Sequence, residues 1–467
     1  MSSNQIISPV HVEKLVFSGK GLARAEDGRA IMISGGVIPG QTVSVRVLKT
    51  RKGHIEAQVL EVLEHSPLEQ PLPAHFQVYG GCKWLPIRYE DQLRIKDEQV
   101  KECFSGLASR GLVSPEVWHP IVASPEIYGY RNKLEFSFGK YISAKEEIHD
   151  DFRFGFHKQG EFDRIIDCDF CVLASDSVNE IFLEVNKHAR ASGIPTYDPK
   201  TAKGTWRHLV VRESKSTGKK MLVYSLNTKD PNFDRAIFDT VWQALALRDD
   251  IVTQVLFHNS GLADIVTGEA EILHGSGIIQ ENLLGRTFEI RPKSFFQTNT
   301  VGAEVLYSTV LNLVKSSGGT LLDLYAGTGT IGILLASHFD QVYSVEIVAD
   351  SSADASVNAG LNKVSNFEAV QVPVEKFLKD FIDRGNQADT LIIDPPRDGM
   401  HPSAPPNILA FGAREIIYVS CNPSTLVRDL DVFLADGKYR LTDVVPVDMF
   451  PHTHHIETVA RLELVTK

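Results

Sequence analysis

Leu321-Leu322-Asp323-Leu324-Tyr325-Ala326-Gly327-Thr328-Gly329-Thr330-Ile331-Gly332 reads as an apolar strand, a glycine turn and the opening of a helix. Glycines belong where a backbone turns tightly and a ligand presses against it. Beyond this stretch, apolar runs at Val342–Val345, Thr390–Ile393 and Ile416–Val419 alternate with segments of helical composition. Alternating βα units predict a parallel sheet with helices on both faces. Val444–Asp448 and Thr458–Val465 then read as two strands joined by a short loop, so the sheet should end in an antiparallel hairpin. The expected fold class is α/β, with a Rossmann-like domain over residues 291–467.

The second apolar strand ends at Glu346, nineteen residues after Gly327, where a carboxylate can accept hydrogen bonds from a ribose diol. Gly327, Gly329 and Gly332 also fit the dinucleotide fingerprint, so the turn alone does not separate NAD from S-adenosylmethionine. Two features separate them. Asp323 precedes the turn, as in Asp-x-x-x-Gly-x-Gly loops that wrap a compact nucleoside instead of a pyrophosphate. The next strand ends Ile393-Asp394-Pro395-Pro396-Arg397, which sets a rigid extended loop, lacking two backbone donors, at the crevice edge. Together they point to methyl transfer.

Ile416–Val419 runs into Ser420-Cys421-Asn422-Pro423-Ser424 and the start of a helix, which places Cys421 at the same edge. Backbone N–H groups there are expected to stabilise a thiolate. Such a nucleophile has a use. Carbon 5 of a uridine attacks a sulfonium methyl only after a thiolate has added at carbon 6, and the carbon 5 proton must then be removed so that the cysteine can leave. Phe450-Pro451-His452-Thr453-His454-His455-Ile456-Glu457, between the last two strands, offers Glu457 as that base. Three histidines in four residues could suggest a metal, but the spacing implies no geometry.

Upstream, residues 1–66 carry short strands between glycine turns, the pattern of a small β-barrel, with Arg46, Lys49, Arg51 and Lys52 clustered in one turn. Ser66–Pro73, with three prolines, reads as a linker. Residues 89–110 have helical composition, followed by a mostly antiparallel central α+β region that completes 67–290. Within 200–229, eight basic residues face a single acid, Glu213, a local balance of +7. The whole chain of 467 residues is acidic instead, at −11 from 48 Lys and Arg against 59 Asp and Glu, so a nucleic-acid partner would need a local patch. Five thinly spread cysteines suit a reducing compartment, and no apolar run reaches the roughly 18 residues of a membrane span. The N-terminus lacks a signal-peptide pattern, and the expected location is the cytoplasm.

Phe295-Phe296-Gln297-Thr298-Asn299, the Asp323–Gly329 turn, Asp394-Pro395-Pro396-Arg397, Ser420-Cys421-Asn422-Pro423 and His455-Ile456-Glu457, in this order, resemble the RNA uracil-5 methyltransferase family. Residues 10–64 look like a TRAM domain, the RNA-binding barrel of its ribosomal RNA members. The resemblance implies that Cys421 is the nucleophile and Glu457 the base, and that Gln297, Tyr325, Glu346 and Asp394 bind S-adenosylmethionine. Thr330 falls at a further family contact position that usually holds another small polar residue. The resemblance also implies that the early helix, over residues 89–117, packs on the catalytic domain, and that the barrel and the basic 200–229 stretch hold RNA. Ribosomal RNA is the expected substrate; the tRNA T-loop, methylation of a base nitrogen and a degenerate assembly factor are the rivals.

One departure stands out. Many family members bind an iron–sulfur cluster through Cys-x5-Cys-Gly-Gly-Cys and a later cysteine, whereas Pro73–Cys82 here retains only Cys82, with Cys171 as the later match. Two thiolates do not complete a four-cysteine cluster, so none is expected. A zinc site from Cys82, Cys103, Cys168 and Cys171 is a lesser alternative.

Overall fold

A computed structural model describes residues 4–72, 81–142, 149–158, 161–435 and 437–465. Three large sheets organise the chain. The first has six strands between Ile6 and Glu64, in which Thr42–Thr50 pairs with both Ile6–His11 and His54–Glu64. Alternate residues Val43, Val45 and Val47 meet Ile31, Ile33 and Ile55 in one core, the period-two pattern of a sheet buried on one face. Residues 66–72 are tied down, unlike a free linker: Ser66 Oγ donates to Pro39 O (2.5 Å), Gln41 Nε2 to Glu69 Oε1 (2.7 Å) and Gln70 Nε2 to Leu85 O (2.7 Å).

The second sheet has seven strands and is antiparallel except where Lys220–Leu226 runs beside Ile251–His258. It narrows the reading of 200–229 as an RNA-facing patch to Lys200, Lys203, Lys219 and Lys229, which are exposed, while the other four cations turn inward. Arg207 is buried and donates to the carbonyls of Asn259, Gly261 and Ala263; Arg212 is buried and donates to Ser294 O. Lys215 pairs with Glu213, and buried Lys220 pairs with Glu213 and Asp250. The charge excess is real, but half of its cations point inward, to Glu213 and to a carboxylate and carbonyls from distant segments that a local count does not see.

The third sheet runs in the order Phe367–Gln371, Gln341–Glu346, Thr320–Leu324, Thr390–Ile393, Glu415–Ser420, Glu457–Leu464, Tyr439–Val447. The first five strands are parallel, and the last two form the antiparallel hairpin. Strand order reverses between Thr320–Leu324 and Thr390–Ile393, so the carboxyl ends of those strands open a crevice.

The expected helix 89–117 is in three pieces: helices Tyr89–Cys103 and Ser105–Ser109, then a 3-10 turn at Pro115–Val117. Val100, Phe104 and Leu107 share a core with Leu322, Leu430 and Ile456, so this segment packs on the third sheet although the second sheet intervenes in sequence. Among the described residues, no helix is long and apolar enough to cross a membrane.

Candidate active site

The glycine turn is built by backbone conformation as much as by side chains. Tyr325, Gly327 and Gly329 have φ of 61°, 55° and 71°, in the left-handed region. At Gly329 a Cβ would also lie 2.8 Å from Phe367 Cζ and 2.9 Å from Ala355 Cβ, so only glycine lets this helix start settle on the sheet. Gly332 N donates to Asp323 Oδ2 (2.9 Å), while Asp323 Oδ1 is buried with no partner. Glu346 accepts from Gly327 N (2.9 Å) and Val348 N (2.8 Å), one bond per oxygen, which leaves each a lone pair for a ligand hydroxyl. Exposed Phe295, Ile347 and Val348 add apolar surface, with Phe295 beside the Gly327 turn. An orphaned acceptor, spare carboxylate lone pairs and an apolar rim suit a nucleoside that carries hydroxyls and a positive charge.

Gln297 and Asn299 sit where two sheets meet. Asn132 Nδ2, from the start of the second sheet, donates to Gln297 O (2.9 Å) and Thr300 Oγ1 (2.8 Å). Asn299 caps the helix Thr300–Leu313 by accepting from Gly302 N (2.9 Å), and its Nδ2 donates to Met449 O (2.8 Å) in the last-hairpin loop. Tyr325 extends its hydroxyl to Glu375 (3.5 Å), and Thr330 opens the helix after the turn.

Register brings the proposed nucleophile and base together. Ser420 pairs with Thr458 across antiparallel strands, so Cys421 and Glu457 are the next residues beyond the last rung. Asp394 follows the neighbouring strand, in which Ile393 pairs with Tyr418. The Cys421 turn is locked to the proline loop, since Asn422 Nδ2 and Thr425 Oγ1 both donate to Arg397 O (3.0 and 3.3 Å).

Electrostatics correct one expectation. Burial first, then the Glu457 and Asp394 charges, pushes the Cys421 thiol up to about 11, with Arg397 opposing. Pro423–Ala435, the helix expected to favour a thiolate, begins two residues later and is outweighed. Burial also raises Asp394 to about 7 and, against the Gly332 hydrogen bond, Asp323 to about 7. Glu457 is raised well above the usual carboxylate range by burial and by Asp394, again with Arg397 opposing. Arg397 is thus the cation that favours the ionised forms of both Cys421 and Glu457, a role that its place after two prolines did not reveal. Because the thiolate fraction of a thiol near 11 grows tenfold per pH unit, iodoacetamide labelling of Cys421 in the ligand-free protein should accelerate about tenfold from pH 7 to 8 and again to 9. Peptide mass spectrometry reads this directly; a plateau below pH 8 would contradict it.

Burial and nearby cations lower His452 and His454 to about 4 and His455 to about 3, so all three are neutral at pH 7. Among the described residues, no group of three or more potential ligands is placed to hold a metal. Cys82, Cys168 and Cys171 lie in one apolar cluster, but Cys103 faces Ser424 (3.6 Å) elsewhere, so the four cysteines of the zinc reading do not meet. Most of the stretch compared with the cluster motif, residues 73–80, lies outside the described residues.

The tRNA (Uracil-5-)-methyltransferase family model matches residues 277–464, and the TRAM domain model matches residues 7–60. A protein named uncharacterized RNA methyltransferase from Caldanaerobacter subterraneus is 36% identical, over 99% of this chain and 100% of its own length. One of the same name from Chlorobaculum tepidum is 35% identical, over 97% of this chain and 94% of its own length. Among solved structures, the Pyrococcus abyssi tRNA (uracil-54, C5)-methyltransferase in complex with S-adenosyl-L-homocysteine superposes with a TM-score of 0.74 at 27% identity, covering 97% of this chain and 99% of that one. With relatives matched end to end, both family models present and the strand-end geometry in place, the chain belongs to the RNA uracil-5 methyltransferase family.

Proposed function

We propose that this chain makes 5-methyluridine in ribosomal RNA, in the cytoplasm, with S-adenosylmethionine bound by Gln297, Tyr325, Glu346 and Asp394. The observation that carries the reading is the placement of Cys421 and Glu457 on adjacent strand ends, one step past the Ser420–Thr458 rung and beside Asp394. The bound cofactor supplies an electrophilic methyl group for carbon 5. Cys421 Sγ forms a bond to carbon 6 of the flipped uridine, and the electron pair of the 5,6 double bond moves toward carbon 5 and the carbon 4 carbonyl. After methylation, Glu457 takes the carbon 5 proton, the double bond re-forms and the C–S bond breaks to free Cys421. Arg397 favours the ionised states of Cys421 and Glu457 that these two steps require.

On the barrel, Arg46, Lys49 and Lys52 are exposed and present cations to a phosphate backbone, as do the exposed lysines of the 200–229 stretch, Lys200, Lys203, Lys219 and Lys229. Five cysteines, none in a disulfide, suit a reducing compartment. One observation favours tRNA instead. The Pyrococcus abyssi enzyme, named as a tRNA methyltransferase, matches 97% of this chain, a share that includes the barrel, so a barrel by itself does not select ribosomal RNA. Incubating the pure protein with methyl-labelled S-adenosylmethionine and total RNA from a strain lacking its gene separates the two. The expected result is labelled 5-methyluridine in large ribosomal RNA. Label in tRNA would move the substrate; label on a base nitrogen, or none, would overturn the reading.

A further inference from the structure

The loop from Asp448 to Ile456 delivers Glu457 to the crevice, and four successive carbonyls of its backbone are held from outside. Met449 O accepts from Asn299 Nδ2 (2.8 Å), Phe450 O from Lys96 Nζ (3.1 Å), Pro451 O from the Tyr130 hydroxyl (2.9 Å) and His452 O from Trp84 N (3.0 Å). His452 N donates to Gln92 Oε1 (2.8 Å). Two of these partners, Gln92 and Lys96, sit one turn apart on the helix Tyr89–Cys103, which contributes no group to the chemistry proposed above.

Both residues are unusual for a helix face. Lys96 and Asp448 form an ion pair (2.6 Å) with both side chains fully buried. Such a pair contributes little net stability compared with apolar side chains of the same volume, so what it supplies is a defined geometry. Gln92 is also fully buried: its Nε2 donates to Ile87 O (2.8 Å) and Trp84 O (3.0 Å), and lies 3.0 Å from His452 Nδ1. His452 is neutral at pH 7, because burial and Lys96 lower it to about 4. Its backbone has φ of 64°, a left-handed conformation that costs energy for any side chain beyond glycine, and its ring stacks on Tyr128 with centroids 4.8 Å apart. A strained bend five residues before Glu457, clasped by a buried glutamine and a buried lysine, fixes where that carboxylate arrives. From the opposite side, the barrel turn at Gly19 abuts His454, where a Cβ on Gly19 would lie 3.1 Å from His454 Cβ.

We infer that Gln92 and Lys96 are positioning residues for the elimination half of the reaction, acting through His452, Asp448 and the backbone of the 448–456 loop to place Glu457. The inference rests on the reading of Glu457 as base. It separates the two halves of the cycle: attack by Cys421 depends on a different strand end, whereas proton removal depends on this loop.

The test uses full-length Gln92→Leu protein and, as substrate, the RNA that takes label in the nucleoside experiment. Because a displacement of about 1 Å at a catalytic group can cost up to about a hundredfold, kcat should fall by about tenfold or more. Adduct formation and S-adenosylhomocysteine affinity should stay within about twofold, so covalent RNA–protein adduct accumulates in the steady state. An unchanged kcat, or adduct formation and adduct resolution falling together, would overturn the inference. Should Gln92→Leu fail to fold, His452 supplies a second comparison. Asn tolerates the left-handed region and Val does not, so His452→Asn should resolve adduct at least about tenfold faster than His452→Val. Equal rates would overturn the inference. Glu457→Gln is the reference. If it accumulates adduct and Gln92→Leu does not, only the positioning role falls; if Glu457→Gln itself builds no adduct, the base assignment falls first.

Discussion

Cys421→Ala should lose methyl transfer by at least about 10⁴-fold and form no covalent RNA adduct. Carbon 5 of an intact uracil ring is too weakly nucleophilic to attack a sulfonium methyl, so no other residue compensates for a missing bond at carbon 6. Binding should survive, because Cys421 takes no part in the contacts that lock its turn. Those run from Asn422 and Thr425 to Arg397 O, and from Asn422 N to Ser420 Oγ at 3.1 Å. The measurement pairs a labelled-methyl transfer assay with denaturing gels and calorimetric titration of S-adenosylhomocysteine. Undiminished methylation would remove the covalent mechanism.

Glu457→Gln should behave differently, with adduct forming and then failing to resolve. Loss of a general base costs about 10² to 10⁴-fold, and here that loss falls on removal of the carbon 5 proton. Adduct should therefore persist on denaturing gels while turnover drops by that factor. Removing a carboxylate that raises the Cys421 thiol also lowers the cost of ionising the cysteine, so initial adduct formation should be no slower than in the parent protein. Stability gives a second, independent readout. The Glu457 pKa is higher folded than unfolded, so the native state holds its proton more tightly. That contribution is present at low pH and is lost as pH rises through the folded pKa. The Gln variant should accordingly gain thermal stability relative to the parent at pH 8 and lose the advantage by pH 5. Absence of adduct would exclude Glu457 as the eliminating base.

The parts of this protein legible in its sequence are those in which chemistry is local. The Asp323–Gly329 turn, the Asp394–Arg397 loop and the Ser420–Pro423 turn each sit at a strand end, and a strand end can be recognised from a handful of residues. Cys421 and Glu457 could be brought together from sequence because the terminal hairpin was itself legible and one antiparallel register places the two side by side. What escaped depends on partners far along the chain. Arg207 and Arg212 count as surface charge until the carbonyls of Asn259, Gly261 and Ser294 are seen to surround them. The Cys421 thiol looks activated by its helix until burial and two carboxylates from neighbouring strands are added. Gln92, Lys96 and Gln99 defeat an apolar-periodicity search because the buried stripe of their helix is partly polar.

The clasp between the early helix and the last hairpin also has a temporal meaning. Lys96 and Asp448 are 352 positions apart, and Gln92 and His452 are 360 apart. During synthesis the helix leaves the ribosome while the last hairpin is still unmade, and a lysine destined for a dry interior must wait in water for its counterion. Contacts of such span close late and slow a fold's completion. The strands Tyr439–Val447 and Glu457–Leu464 therefore finish two things in one event: they seat the early helix and they bring Glu457 beside Cys421, so a chain truncated before them should lack the proposed catalytic pair.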